Sequence, residues 1–339
     1  MTLNAVCAQS LTGTIARTIL GASIAAFGIA CNAADADPAR DYPNRPIRLI
    51  AQFQPGTTTD IIARLFGAKL SETWGQQVVV DNRPGAGGTV GTDLAAKAAP
   101  DGYTLAMGAS GALGVAPGLF PKLPYDPVRD FAPIVNIVTQ AQVLVASPAF
   151  PARTVTDVIS MAKAKPSELN YASVGPGTVT HLTMEMLESA ARIKLNHVPF
   201  KGSPPAYIAM FSGEIQVMFD GMPAAIPQIK AGKLRAIAVS TLQRQVFLPD
   251  VPAVAESGLP GFEAVGWTGL IAPARTPAPI LDKLNHEVNR ILNTEDAKQL
   301  LAANAFNIAG GTRQQYAAFI KSEIVKWTKI IKDAGIRVE

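Results

Sequence analysis

From Pro46 onward, short apolar runs alternate with stretches of helical periodicity. Ile47 to Gln52 reads as a strand. Thr59 to Trp74 reads as a helix, with Ile61, Ile62, Leu65, Phe66 and Leu70 on one face. Gln77 to Asp81, rich in Val, is a second strand. Gly88 to Ala98 is a helix of small residues stopped by Pro100-Asp101-Gly102, and Thr104 to Gly108 is a third strand. This β-α-β-α-β order predicts a parallel sheet covered by helices. The pattern then restarts. Strands are predicted at Val143 to Ala146, Asn170 to Ser173, Asn196 to Phe200, Gln216 to Asp220 and Leu234 to Val239. Helices fall between them at Val155 to Lys165, Thr178 to Arg192 and Pro205 to Ser212. Leu248 to Phe262, rich in Pro and Gly, reads as a connection. A strand at Trp267 to Ala272 and helices at Pro279 to Leu292, Thr294 to Ala303 and Arg313 to Ala334 finish the chain.

Two such series predict an α/β protein of two similar lobes. The closing helices need a sheet to cover, and the first lobe supplies it. Lobe 1 is therefore expected to comprise 41–142 plus 264–339, and lobe 2 to comprise 143–263. The crossings near Gln142 and Glu263 are candidate hinges. A length of 339 residues, 48% hydrophobic and 17% charged, suits two ordinary domains with their own cores. The formal charge of +4 is spread without a basic run or stripe. That excludes the electrostatic footprint of a nucleic-acid binder.

The N-terminus adds a compartment. Arg17 precedes an apolar stretch from Ile19 to Ala30, and Ala34-Asp35-Ala36 follows. This is the layout of a cleaved secretory signal over 1–36, and the stretch is short of the about 20 residues a membrane span needs. Cleavage after Ala36 removes Cys7 and Cys31, the only two cysteines, so the exported chain has no thiol and no disulfide. A lipid anchor at Cys31 is the weaker alternative, because Gly28 stands where a larger aliphatic residue is expected.

In open α/β sheets ligands bind where strands end and helices begin. The first such turn is Gln52-Phe53-Gln54-Pro55-Gly56-Thr57-Thr58-Thr59-Asp60. Thr57 and Asp60 have the spacing of a capping box. Hydroxyls and backbone N–H groups at this helix start suit a carboxylate. The second turn, Asn82-Arg83-Pro84-Gly85-Ala86-Gly87-Gly88-Thr89-Val90-Gly91, is Gly-rich but meets neither the dinucleotide fingerprint nor the P-loop pattern. It leaves a loop whose backbone can approach an anion. The second half has two matching turns: Ser173-Val174-Gly175-Pro176-Gly177-Thr178, running into a helix with His181, and Phe200-Lys201-Gly202-Ser203-Pro204-Pro205. Asp220-Gly221 ends the next strand and has an acceptor to offer.

Catalytic constellations are scarce. His181, His197 and His286 are dispersed, and no H-E-x-x-H, paired-Cys or Gly-x-Ser-x-Gly motif occurs. His181 and Glu185 form an i, i+4 pair without a third metal ligand. No catalytic residue, metal or cofactor is expected. An enzyme acting on a small anion in the same cleft is the alternative, with His181 its one candidate base.

These turns carry a family pattern. The chain resembles the Bug family, the extracytoplasmic substrate-binding receptors of tripartite tricarboxylate transporters. The matching stretches are Tyr42-Pro43 through Pro46-Ile47, Pro55-Gly56 with Thr59-Asp60, Asn82 to Gly88, and Asp101-Gly102-Tyr103-Thr104-Leu105. They continue with Gly175-Pro176-Gly177-Thr178 and His181-Leu182, Pro199-Phe200-Lys201-Gly202, Leu248 to Pro252, and Trp267-Thr268-Gly269-Leu270 with Pro273 and Thr276-Pro277. The resemblance implies a periplasmic, monomeric, two-lobed (Venus flytrap) binding protein that holds a small carboxylate and delivers it to membrane subunits. The carboxylate would be a dicarboxylate, a tricarboxylate, an acidic amino acid or an aromatic acid. Carried over, the ligand contacts are Gly56, Thr57, Thr58, Thr59 and Asp60, with Gly85, Ala86, Gly87 and Gly88. Those of the second lobe are Ser173, Gly177, Thr178, Lys201, Gly202 and Asp220. Phe53 and His181 complete the expected set. Two departures stand out. Thr57 replaces the second Gly of the usual Pro-Gly-Gly, and Phe200 replaces the usual Tyr before Lys-Gly.

Overall fold

The computed structural model describes residues 37–336. The signal segment 1–36 and Cys31 lie outside them. The strand β1 (Ile47–Ala51) is followed by α1 (Thr58–Trp74), β2 (Val78–Asn82), α2 (Thr89–Ala96), β3 (Thr104–Ala109) and the short α3 (Ala116–Leu119). Then come β4 (Phe131–Ala146), α4 (Val155–Ala164), β5 (Asn170–Ser173), α5 (Val179–Ala191), β6 (Asn196–Pro199), α6 (Ser203–Phe211) and β7 (Val217–Gly221). α7 (Met222–Lys230), β8 (Arg235–Val239), β9 (Val265–Pro273), α8 (Ala278–Leu292), α9 (Glu295–Ala303), β10 (Asn307–Gly310) and α10 (Arg313–Ala334) complete the chain.

Two sheets share one strand. In the first, the order is β2-β1-β3-β9-β4, with β10 on the free edge of β4; β1 lies parallel to β2 and β3. In the second, β4 pairs with β7 and β8, and β5 lies between β7 and β6. The 16-residue β4 passes through both: Phe131 to Ala141 pair with β9, and Gln142 to Ala146 pair with β7. The chain returns between β8 and β9. At that point Gln142 and Ser240 exchange backbone and hydroxyl bonds of 2.9 Å, and Ala264 N–H donates to Ser240 O at 2.9 Å.

Three features depart from the sequence expectation. Only Val143 to Ala146 of β4 was expected; its first part carries Pro133, Asn136 and Gln140 and lacks clean alternation. α7 was missed because Pro223 and Pro227 break the helical pattern; Pro223 sits at the helix start, where it costs nothing, and Pro227 lies inside the helix. The four residues of β10 are too few to register by periodicity.

Each sheet is mixed and buries apolar side chains on both faces, because helices cover both. In the first lobe, Leu49, Leu105, Ile134, Val138 and Leu270 pack under α1, α8 and α9. Ile50, Trp267 and Ile271 pack under α10 on the other face. A smaller cluster spans the lobes: Val115 and Leu119, Val179 and Leu182 of α5, Ala264, and Trp327 and Ile331 of α10. Beneath it, one carboxylate oxygen of Glu323 accepts from the indole N–H of Trp267 at 3.0 Å and of Trp327 at 2.9 Å. Both rings and the carboxylate are buried.

Glu323→Ala would orphan both donors. With about 1–3 kcal/mol for each unsatisfied buried group, the loss should be about 2–6 kcal/mol. Glu323→Gln keeps an acceptor oxygen and should lose less. The urea midpoint, at unchanged slope, reads both.

Candidate functional site

Helix α1 of the first lobe and helix α5 of the second begin in the same way. The N-cap of α1 is Thr57, with φ −78° and ψ 162°, and that of α5 is Thr178, with φ −79° and ψ 162°. Neither side chain caps its helix. Thr57 Oγ1 donates backward to Gln54 O at 2.8 Å, and Thr178 Oγ1 to Gly175 O at 2.7 Å. The preceding glycines, Gly56 at φ +83° and Gly177 at φ +73°, lie in the left-handed region where a side chain is strained. Their N–H groups donate forward: Gly56 to Asp60 Oδ2 at 2.9 Å, Gly177 to His181 Nδ1 at 3.1 Å. The signal was legible as Pro-Gly-Thr-x-Thr, at Pro55 to Thr59 and again at Pro176 to Thr180, and the sequence reading passed over it.

The consequence is chemical. The first intrahelical bonds are Ile61 N–H to Thr57 O and Leu182 N–H to Thr178 O. The N–H groups of residues 58–60 and 179–181 therefore have no acceptor among the described residues. Each helix start carries a partial positive charge of roughly half a unit with its donors aimed outward, which is an anion seat.

The capping box expected between Thr57 and Asp60 does not form, because the Asp60 carboxylate takes Gly56 N–H instead. It also accepts from Asn82 at 2.8 Å and pairs with Arg64 at 2.9 Å. Burial works to raise the Asp60 pKa, but the Arg64, Gly56 and Asn82 bonds outweigh it and hold the group below its ordinary value. Asp60 thus shapes the turn, with both oxygens engaged by the protein. The hydroxyl that Thr57 adds is likewise turned away toward Gln54.

The Gly-rich turn after β2 is wound left-handed over four successive residues: Gly85 (φ +141°), Ala86 (+45°), Gly87 (+65°) and Gly88 (+94°). Ala86 pays no such penalty in an ordinary turn; here its φ costs about 1–2 kcal/mol, and stored strain of this kind gathers at ligand loops. Successive N–H groups in such a turn make a concave nest for an anion. A side chain at Gly88 would stand 3.0 Å from the Phe53 ring, so Phe53 forms the wall of this turn. Asn82 ties the two first-lobe turns together by donating to Phe53 O at 3.0 Å.

In the second lobe, several expected contacts are supports. Ser173 is fully buried; its hydroxyl bonds His197 Nε2 at 2.7 Å and accepts from Gly175 N–H at 3.2 Å. Asp220 is buried behind α6, where Tyr207 donates to one oxygen and Gly221 N–H to the other at 2.8 Å. Burial pushes its pKa up. Lys201 is exposed, and Gly202, at φ +102°, is the N-cap of α6. The His181 ring stacks on His197 with centroids 4.1 Å apart, and its Nε2 stands 3.6 Å from Glu185. Because Nδ1 accepts from Gly177, His181 serves the turn as Asp60 does in the first lobe. Burial and the neighbouring His181 push His197 down to about 4.

Two contacts beside these turns were not anticipated from the sequence, and the second of them joins the lobes. Thr58 Oγ1 donates to Gln140 Oε1 on the shared strand β4 at 3.0 Å. Leu119, at the end of α3, lies against Gly177, where an added Cβ would stand 2.5 Å from its Cδ2. A hollow of about 490 Å³ lies farther along α5, among Glu185, Glu188, Arg192 and Lys194, away from both helix starts. Among the described residues, no three His, Cys, Asp or Glu side chains come together to hold a metal.

Comparison with known proteins fits this geometry. The model of the tripartite tricarboxylate transporter family receptor matches residues 62–336. The chain belongs to that family. BugT of Bordetella pertussis is 35% identical over 322 residues, covering 95% of this chain and 98% of its own. A Rhodopseudomonas palustris protein solved with adipate superposes with a TM-score of 0.83 at 34% identity, covering 88% of this chain and 99% of that one. MatC of the same organism, with bound malate, gives 0.79 at 34% identity over 86% and 100%. The periplasmic binding protein BugD gives 0.80 at 32% identity over 88% and 100%. The family and its neighbours are solute-binding receptors of the periplasm.

The two cap glycines should respond differently to a methyl group. Gly56→Ala meets nothing within 4 Å and should cost about 1–2 kcal/mol of backbone strain. Gly177→Ala carries the same strain and also collides with Leu119, so its melting temperature should fall further than that of Gly56→Ala.

A second test concerns pH. Glu188 is raised above its ordinary value by burial and by Glu185 beside it. Burial also raises Glu185, but the His181 and Tyr171 contacts outweigh it and hold Glu185 low. A raised carboxyl contributes stability that is present below its ordinary pKa and lost as pH rises through the folded value. Glu188→Gln should therefore melt above wild type at pH 8 and show no advantage at pH 5.

Proposed function

We propose that this chain is an exported receptor that clasps a linear dicarboxylate between its lobes and hands it to the membrane subunits of a tripartite tricarboxylate-type transporter, without catalysing a reaction. The observation that carries this reading is the pair of matched helix starts, α1 in one lobe and α5 in the other, each with three unengaged N–H groups. A dianion has one carboxylate for each. The neighbours solved with adipate and with malate support it, since both ligands are dicarboxylates.

The grip lies in the main chain at Thr58 to Asp60, Ala86 and Gly87, and Val179 to His181. The lobes are 41–142 plus 264–339 and 143–263, and they turn about the crossings at Gln142 and Glu263. A ligand that touches both lobes shifts the population toward closure by its differential affinity for that state. Export through the cleaved segment 1–36 places the receptor in the periplasm, where it acts as a monomer. Among the described residues no helix is long and apolar enough to cross a membrane. The enzyme alternative needs His181 as a base. Its Nδ1 is engaged by Gly177 and its ring is buried, so it has no free lone pair there for a substrate.

Calorimetry with succinate, malate and adipate tests the reading. At least one should bind, and its monocarboxylate analogue should bind at least about tenfold more weakly, or about 1.4 kcal/mol. The radius of gyration should fall at saturation, and the ligand should be recovered unchanged. Equal affinity for the monocarboxylate would overturn the two-ended grip, and turnover would overturn the receptor assignment.

A further inference from the structure

We propose that Gln140, on the strand shared by both sheets, is a specificity-determining residue whose side-chain amide donates to the distal carboxylate of the bound acid. The inference rests on the dicarboxylate reading above and names a contact outside the ligand turns.

Gln140 sits where the lobes meet. Its neighbour across β9 is Gly266, and Gln142, two residues on, faces Gly221 of β7. The Oε1 atom of Gln140 is occupied by the Thr58 hydroxyl at 3.0 Å. Thr58 is the first residue of α1, so the amide is oriented by the anion seat of the first lobe. The nitrogen is turned toward Gly266. A Cβ at Gly266 would stand 3.0 Å from Nε2, and one at Gly221 would stand 3.6 Å from both Nε2 and Oε1. Neither glycine has a positive φ; Gly221 has φ −60° and ψ 134°, which any residue adopts. Backbone conformation therefore does not require glycine at either position. What their missing side chains provide is room around the Gln140 amide.

That amide is half-buried, and its two N–H groups have no acceptor among the described residues. Gln142 shares its face of the strand, is buried, and leaves its Oε1 without a donor. The Gln140 N–H groups are donors that meet no acceptor of the protein among the described residues, and a ligand carboxylate can accept from them. The amide carries no charge, so it favours an anionic oxygen without needing a counter-ion in the cleft. An acid long enough to reach it from the α1 seat gains a donor that a monocarboxylate never meets.

The test is an exchange of donor and acceptor. Wild type, Gln140→Glu and Gln140→Ala would each be titrated with succinate and adipate and with the monoamide of each. Wild type should prefer the dicarboxylate. Gln140→Glu should lose at least tenfold in dicarboxylate affinity and prefer the monoamide, because its carboxylate repels one end group and accepts from the other. Gln140→Ala should bind both, with the discrimination reduced. The melting temperatures of the ligand-free variants separate this effect from a general loss of structure. A merely structural role would weaken both ligands in parallel and would not reverse their order, so a parallel loss overturns the proposal. Gln140→Glu binding the dicarboxylate as wild type does would overturn it as well, leaving the receptor reading intact. Wild type binding none of the acids would overturn both.

Discussion

The first-turn N–H groups of α1 and α5 have no acceptor among the described residues, and the surrounding structure keeps them that way. A buried or half-buried donor without a partner costs free energy, so most proteins cap it with a Ser, Thr, Asp or Asn side chain. Here the residues of capping type are present and are directed elsewhere. Thr57 and Thr178 turn back to the preceding turn, while Asp60 and His181 hold the glycine N–H before the cap. The helix dipole and three donors are left for a ligand. Asp60 and His181 differ in chemistry, yet either supplies the one lone pair that the position requires.

That arrangement constrains what lies beneath it. His181 is stacked on His197, and His197 holds Ser173, which accepts from Gly175 of the same turn. A chain of buried polar contacts therefore fixes the second-lobe turn from below. Burial keeps His197 uncharged at neutral pH, so a positive ring is not placed under the seat. In the first lobe the equivalent support is ionic: Arg64 and Asn82 hold Asp60, and Asn82 also holds the Phe53 carbonyl. The same backbone geometry is reached by two different side-chain solutions.

The lobes are joined by backbone as much as by contact. β4 belongs to both sheets, and the return crossing is bonded to it through Ser240. The hinge proposed above would bend few residues, close to where Gln140 touches Thr58. The cluster around Trp327 and Leu119 bridges the lobes at α5, on the side where α10 ends. A seat in each lobe, a short crossing between them and an apolar contact beside it are the parts that a closing receptor requires.

Much of this was legible in the chain. Periodicity gave most elements, because amphipathic helices such as α1 and Val-rich strands such as β2 repeat locally. The Gly-rich turns were legible as tight, left-handed turns, because positive φ over Gly85 to Gly88 is favoured by the glycines themselves. Pro-Gly-Thr-x-Thr was written twice in the sequence. What the tertiary structure alone decided is where each side chain finds its partner. Asp60, Ser173 and Asp220 are polar residues in the expected turns, and only packing shows that their oxygens are engaged by Arg64, His197 and Tyr207. Gln140 is one glutamine in an irregular stretch, distant in sequence from every ligand turn. It comes beside Thr58 because β4 runs through both sheets, and that pairing depends on hydrogen bonds between strands far apart in the chain, for which local sequence carries no signal.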